Sequence, residues 1–248
     1  MLDLRINLKT PTPPYLASTI APDQLQRILN ITHEWKHTLN PILPKPPQSI
    51  PFRPDLMLRI EAEASPLSGA PHDPNDYSLY LELWYAPQKL WALRIPTISA
   101  NQLFPVIEAQ LQQWTTTFNV ALFWHQTATQ LLQCYAPLFR CPDTTEEPHL
   151  DWYWFENTEL ILQIKTAQGP THRVGLLHCC AQHATTNNYG PQGHWCYTAG
   201  HSTPALFGTE PNVWSAIPFQ LSDPKNQDDC VRHLHNQLNS AMLAMVQC

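Results

Sequence analysis

Glycine is scarce in this chain, with seven in 248 residues. That is too few for the loops that wrap phosphate groups in backbone N–H donors, and neither GxxxxGK[ST] nor GxGxxG occurs. Nucleotide hydrolysis and dinucleotide-dependent redox chemistry are therefore disfavoured. The GxSxG turn that presents a serine nucleophile is missing too. Charge is equally sparse: 14% of residues are Asp, Glu, Lys or Arg, against roughly 25% in ordinary globular domains. The polar surface must then be built mostly from Gln, Asn, Thr and His, which leaves it modestly hydrated and receptive to partners. The 20 acidic and 14 basic side chains give a formal charge of -6, which opposes nonspecific attraction to phosphate backbones. Nucleic acid is not expected as a general partner.

Long apolar runs are lacking as well. No stretch approaches the ~20 residues of a membrane-spanning helix, so no membrane span is expected. Met1 to Ile6 alternates apolar and polar residues and has neither the apolar core nor the small-residue cleavage site of a signal peptide. Seven cysteines, an odd number at irregular positions, fit reduced thiols better than a disulfide framework. The expected location is cytoplasmic.

Proline, by contrast, is abundant. Its 25 copies cluster at Pro11, Pro13 and Pro14 and across Pro41 to Pro54, marking stiff, extended connectors. A first helix is expected between them, from Pro22 and Asp23 to Asn40-Pro41, with Leu25, Ile28, Leu29, Trp35 and Leu39 on its apolar face. From Leu56 the period changes to two. Leu56, Leu58, Ile60, Ala62 and Ala64 alternate with Arg59, Glu61 and Glu63; Leu79, Leu81, Leu83 and Tyr85 repeat the pattern, and Trp91, Leu93 and Ile95 follow a Pro87-Gln88 turn. This predicts an antiparallel meander with one face to cover. The cover is expected near residues 100 to 118, where Ser99 and Gln102 resemble a capping box and Leu103, Ile107, Leu111, Trp114 and Phe118 form a stripe. Val120 to Trp124 suits a strand, and Thr127 to Tyr135 a short helix.

A second strand-rich block is predicted at Trp152 to Phe155, Leu160 to Thr166, Arg173 to Cys180 and His194 to Thr198. An irregular Pro-containing stretch then leads to a final helix, capped by Ser222 or Asp223 with Pro224 near its first position. Asp228 and Asp229 are placed in its first turn, and Val231, Leu234, Leu238, Met242 and Met245 form its stripe. The predicted fold is α+β, an antiparallel sheet or two meander-then-helix halves packed by three main helices near 23 to 39, 100 to 118 and 224 to 246. It is read as a single domain over 1–248, with 1–142 and 143–248 as pseudo-halves and no residue-level repeat between them.

Potential metal ligands crowd together only between His178 and His201, which hold four of the twelve histidines and three of the seven cysteines. Cys180 with His183, and His194 with Cys196, offer two thiolates and two imidazoles across a loop containing Asn187-Asn188-Tyr189-Gly190, a donor set that suits tetrahedral zinc. His178, Cys180, His194 and Cys196 are a second set, sharing faces if the segment forms strands. Ordinary zinc motifs repeat a two-to-four-residue spacing with turn glycines, so a metal-free hairpin with structural Cys180 and Cys196 is the preferred reading and no cofactor is assigned. Cys179, Cys180 and Cys196 lie near histidines, but no signature of a cysteine nucleophile surrounds them. Glu61, Glu63 and Glu82 could divide acid and base roles; pairing with Arg59 and Arg94 on a charge-laced sheet face explains them better.

Nine tryptophans remain to be placed. Trp84, Trp152 and Trp154 stand opposite the apolar alternation or in mixed aromatic runs, which makes them the candidates for exposed, partner-binding aromatics. The competing assignment is burial beneath a second helical layer. The function expected from these features is that of a soluble non-catalytic protein that binds another protein or itself, in assembly, regulation or scaffolding. The alternative is a metal- or thiol-dependent enzyme centred on residues 178–201.

Overall fold

Apolar alternation dictates the first sheet, because only one register sets every apolar residue of a strand against the apolar set of its neighbour. In a computed structural model, which describes residues 2–9, 21–44, 55–64, 76–85, 87–135, 149–155, 159–165, 172–178, 193–196, 216–219 and 223–246, strands β1 (Leu2–Lys9), β2 (Leu56–Ala64), β3 (Asp76–Tyr85) and β4 (Gln88–Ser99) lie in that order. Leu58 pairs with Leu83, and Ile60 with Leu81. The predicted meander is thus present as β2, β3 and β4. It gains a fourth strand that the sequence reading left unassigned: β1 runs parallel to β2, with Leu2, Leu4 and Ile6 opposite Leu56, Leu58 and Ile60. A parallel pair needs a crossover, and α1 (Pro22–Thr32) and α2 (Trp35–Leu39) lie in the chain between the two strands.

The chain divides into two compact units, the first comprising residues 1–37 and 45–115, the second 38–44 and 116–248. In the first unit the apolar face of the sheet is buried through Leu58, Ile60, Leu79, Leu81 and Leu83. The register shift between Leu83 and Trp84 places Trp91 opposite Leu83 and Lys89 opposite Trp84, so Leu90 is the extra residue of a bulge. Leu90 and Trp91 are consequently both buried, while Leu93 and Ile95 are only half-buried. Pro96 is accommodated because β4 is an edge strand, and its carbonyl accepts the Ser78 hydroxyl at 2.8 Å.

The first helix is broken at His33-Glu34 into α1 and α2. Its buried stripe is Ile28, Thr32, Trp35 and Leu39, whereas Leu25 and Leu29, expected inside, are 36% and 40% exposed. Thr32 takes the inward place because its hydroxyl donates to the Ile28 carbonyl at 3.0 Å and so needs no water. Trp35 stacks at a tilt on Trp114, and Trp114 on Trp91, each with ring centroids 6.1 Å apart. Such pairs contribute about 0.5–1.5 kcal/mol each beyond their area burial. The Trp35 indole N–H donates to Thr115 Oγ1 at 2.8 Å.

A larger departure from the predicted elements is α3, one helix from Leu103 to Tyr135. The expected end near Phe118, strand at Val120 to Trp124 and second short helix are all part of it. Pro105 sits in its first turn, where a missing N–H costs nothing, and no proline or glycine follows until Pro137. The β-branched run Thr115-Thr116-Thr117 is tolerated: Thr115 donates to the Leu111 carbonyl at 2.8 Å. Ser99 ends β4 and bonds the Asn101 side chain at 2.6 Å; a short 3-10 turn, Ala100–Gln102, then precedes α3.

The second unit holds β5 (His149–Phe155), β6 (Glu159–Lys165), β7 (His172–His178), β8 (Gly193–Cys196) and β9 (Ala216–Phe219), antiparallel throughout and in sequence order. β9 falls in the stretch read as irregular. The last helix, α4 (Pro224–Val246), matches its expected limits and packs on β7. Asp223 is its cap, its Oδ1 accepting the Lys225 N–H at 2.9 Å. With Pro224 as the first helical residue, Asp228 and Asp229 fall in the second turn rather than the first; Asp229 pairs with Arg232 at 3.1 Å. Leu234 and Leu238 are fully buried, but Val231 is 37% exposed. Among the described residues the α+β architecture is therefore as expected, with three longer helices and one short one.

Leu238→Asp should lower unfolding stability by about 3 kcal/mol or more, since it replaces a buried apolar group with an unpaired charge. Val231→Asp, on the same helix, should cost under about 1 kcal/mol. Urea denaturation of both variants checks this, and a Leu238→Asp midpoint equal to wild type would take α4 out of the core.

Candidate functional site

The solvent-facing side of the first sheet is organised around one carboxylate. Because alternation brings Arg59, Glu82 and Trp84 to the face opposite the core, and the bulge at Leu90 sets Lys89 beside Trp84, these polar groups meet across strands. Glu82 accepts three donors: the Trp84 indole N–H at 2.9 Å, Arg59 at 3.4 Å and Lys89 at 3.3 Å. Arg59 also donates to Glu61 at 2.7 Å, and that bond, with the nearby carboxylates, holds the Arg59 guanidinium above its ordinary pKa. Lys89 Nζ stands 5.6 Å from the Trp84 ring centroid, and the Arg94 guanidinium 5.3 Å from that of Tyr80.

Paired carboxylates free to share acid and base work would need a different setting. Glu82 is tied to Arg59 across strands, as expected, and Glu61 is tied to Arg59 along the same strand; Arg94 lies over Tyr80 instead. What the face offers is a half-buried indole, anchored by Glu82 and flanked by a lysine, with an arginine-stacked tyrosine on the same strand. Tryptophan, tyrosine and arginine are the residues enriched where proteins bind proteins.

Of the three tryptophans expected to be exposed, only Trp84 reaches the surface, and it is half-buried. Trp152 and Trp154 are 3% and 6% exposed, which corrects that expectation. The physical reason is register: Trp152 faces Leu162 and Trp154 faces Leu160 across β5 and β6, on the apolar side of the sheet. Their polar ends are satisfied inside. Trp154 donates to the Ile42 carbonyl at 3.0 Å and packs on Phe118 with centroids 5.9 Å apart. Tyr153, between them, is the exposed aromatic at 49%.

Trp152 donates to His125 Nδ1 at 3.0 Å. An indole N–H can only donate, so Nδ1 must be unprotonated and the ring neutral. Burial acts in the same direction and lowers the His125 pKa below the ordinary 6.5.

In the cysteine- and histidine-rich segment, β7 and β8 pair antiparallel, with His178 opposite His194 and Leu176 opposite Cys196, while the expected turn between them lies outside the described residues. The two histidines thus share one rung, while Cys196 lies two residues away opposite Leu176. Cys180 and His183 lie outside the described residues, as do Cys179 and His201. Among the described residues no group of three or more His, Cys, Asp or Glu side chains is arranged to hold a metal, and no helix is long and apolar enough to cross a membrane.

The expectation that HExxH is absent from the chain is corrected by His33-Glu34-Trp35-Lys36-His37, which satisfies that zinc-type pattern. The motif works when both histidines project from one helix toward a third ligand. Here His33 and Glu34 form the turn between α1 and α2, His33, Glu34, Lys36 and His37 are all exposed, and Trp35 is buried. The spacing is explained by the buried Trp35 and its exposed neighbours. Comparison with protein-family models, with curated proteins and with solved structures finds no match to this chain.

The His125–Trp152 bond makes stability depend on pH with a definite sign. Between the lowered folded value and 6.5 the unfolded chain binds a proton that the folded chain refuses. The contribution is therefore whole above 6.5 and falls away as the pH drops from 6.5 to the folded value. Urea midpoints at pH 7.5 and pH 5 should lie closer together in His125→Gln than in wild type; an unchanged difference would show that His125 does not carry it.

Proposed function

We propose that the protein is a soluble, cytoplasmic, non-catalytic binding protein, acting in assembly, regulation or scaffolding, and that it docks a protein partner or a second copy of itself through the outer face of the first sheet. The observation that carries this reading is the anchored indole of Trp84. Its N–H is already bound to Glu82 and its ring is flanked by Lys89, so its orientation is set before any partner arrives and little freedom remains to be lost on docking.

Scarce charge and the lack of phosphate-loop and serine-nucleophile patterns support the same reading. The neighbouring ion pairs, Arg59 with Glu61 and Lys89 with Glu82, suit the polar rim of an interface, where charges set orientation and encounter rate more than affinity.

Trp84→Ser should weaken association by about tenfold or more, as loss of an interface anchor does, while circular dichroism and the urea midpoint stay near wild type. Static light scattering reads self-association, and capture from the native host followed by binding titration with the captured protein reads a partner. Unfolding of Trp84→Ser, with no associated species found in wild type, would return Trp84 to a structural role and end the proposal.

A further inference from the structure

On the outer face of the first sheet the two signs of charge lie at different depths. The side chains of Glu61 and Glu82 are 15% and 18% exposed, whereas those of Arg59 and Lys89, to which they are bound, are 42% and 38% exposed. Both carboxylates are thus recessed beneath the cations that neutralise them. Arg94 is exposed and adds a third cation, and among the described residues its guanidinium is set over the Tyr80 ring rather than against a carboxylate. What a partner would meet first is positive, on a chain whose formal charge is -6.

We infer, taking docking at Trp84 as given, that the occupant of this face is an acidic protein segment in extended conformation, with one carboxylate at Arg94 and a second, four residues along, at Lys89. Tyr80 and Trp84 are four residues apart on β3, and the register of β4 sets Arg94 opposite Tyr80 and Lys89 opposite Trp84, with the small Ala92 opposite Glu82 between them. At about 3.4 Å per residue the two cation–aromatic pairs stand roughly 14 Å apart. Carboxylates four residues apart in an extended segment have that spacing and share one face. Arginine ordered over an aromatic ring still offers a planar N–H fork, which matches a carboxylate in two bonds. Lys89 has three ammonium donors and bonds Glu82, so it can serve a second carboxylate. Trp84 supplies apolar surface beside it.

The same layering argues against a second copy docked face to face. Such a pair is isologous, each patch meeting itself. Its outermost groups would be cations against cations, and juxtaposed like charges oppose association.

Fluorescence anisotropy of a labelled copolymer of glutamate with a minority of tyrosine, titrated with the full-length protein, tests this. The copolymer should bind saturably, and its affinity should drop several-fold between about 0.1 and 1 M NaCl, as the screening length shrinks from about 10 to about 3 Å. Arg94→Glu and Lys89→Glu should each weaken binding about tenfold or more, because each sets like charges together. Lys36→Glu, an equal change of net charge at an exposed site on α2, should bind as wild type does. Arg94→Gln, which removes the charge without reversing it, decides the matter where a reversal disturbs the sheet. Three results would each overturn the acidic occupant: no binding of the copolymer by wild type, equal losses in Lys36→Glu and Arg94→Glu, or oligothymidylate bound as tightly with the same dependence on Arg94. Docking itself is read separately through Trp84→Ser. Association lost there but kept in Arg94→Glu leaves docking at Trp84 standing and removes acidity as its basis, whereas association kept in Trp84→Ser ends both.

Discussion

An uninterrupted 33-residue helix is the constraint on which both cores depend. Its first half supplies Leu103, Ile107, Leu111 and Trp114 to the first unit, and its second half Phe118, Val120, Ala121, Trp124, Ala128 and Leu132 to the second. Fully burying a large apolar side chain contributes about 1.5–3 kcal/mol, so each of these residues weighs in the core of the unit to which it belongs. The helix runs through three consecutive threonines, the first of which has its hydroxyl bonded within the helix. Thr115 bonds back to Leu111 and also receives the Trp35 indole N–H. Thr117 is 3% exposed.

Trp35, Trp84, Trp152 and Trp154 have two kinds of role, and the distinction turns on where the indole N–H finds an acceptor. Trp35, Trp152 and Trp154 are buried, and their N–H groups reach Thr115, His125 and the Ile42 carbonyl. Trp84 takes its acceptor, Glu82, from the polar side of a sheet. A buried indole so bonded ties two elements together; a half-buried one held at a sheet face presents a fixed apolar surface. That contrast is why the proposed docking surface centres on Trp84 alone and not on all three tryptophans of the sequence expectation.

The candidate sites show the same limit of spacing arguments. HExxH at residues 33–37 satisfies a written pattern, yet the helix it requires is interrupted within it and Trp35 turns inward. His178 and His194 are sixteen residues apart and match no written pattern, yet strand pairing sets them on one rung. A motif describes neighbours along the chain, whereas pairing makes neighbours in space. Pairing between strands has no local signature beyond alternation, which is compatible with many partners.

The sequence alone determined those elements whose own periodicity is strong: the alternating strands β2, β3 and β4, and α4 with its Pro224 start and the Leu234 and Leu238 stripe. Such patterns are local, and burial of one face leaves little choice. Tertiary structure decided the rest. β1 needed β2 to pair with, β9 needed β8, and the bulge at Leu90 needed the register of β3. Trp152 and Trp154 went inside because Leu162 and Leu160 stood opposite them. Each of these outcomes rests on a partner distant in sequence, and a chain read residue by residue contains no record of which distant segment it will meet.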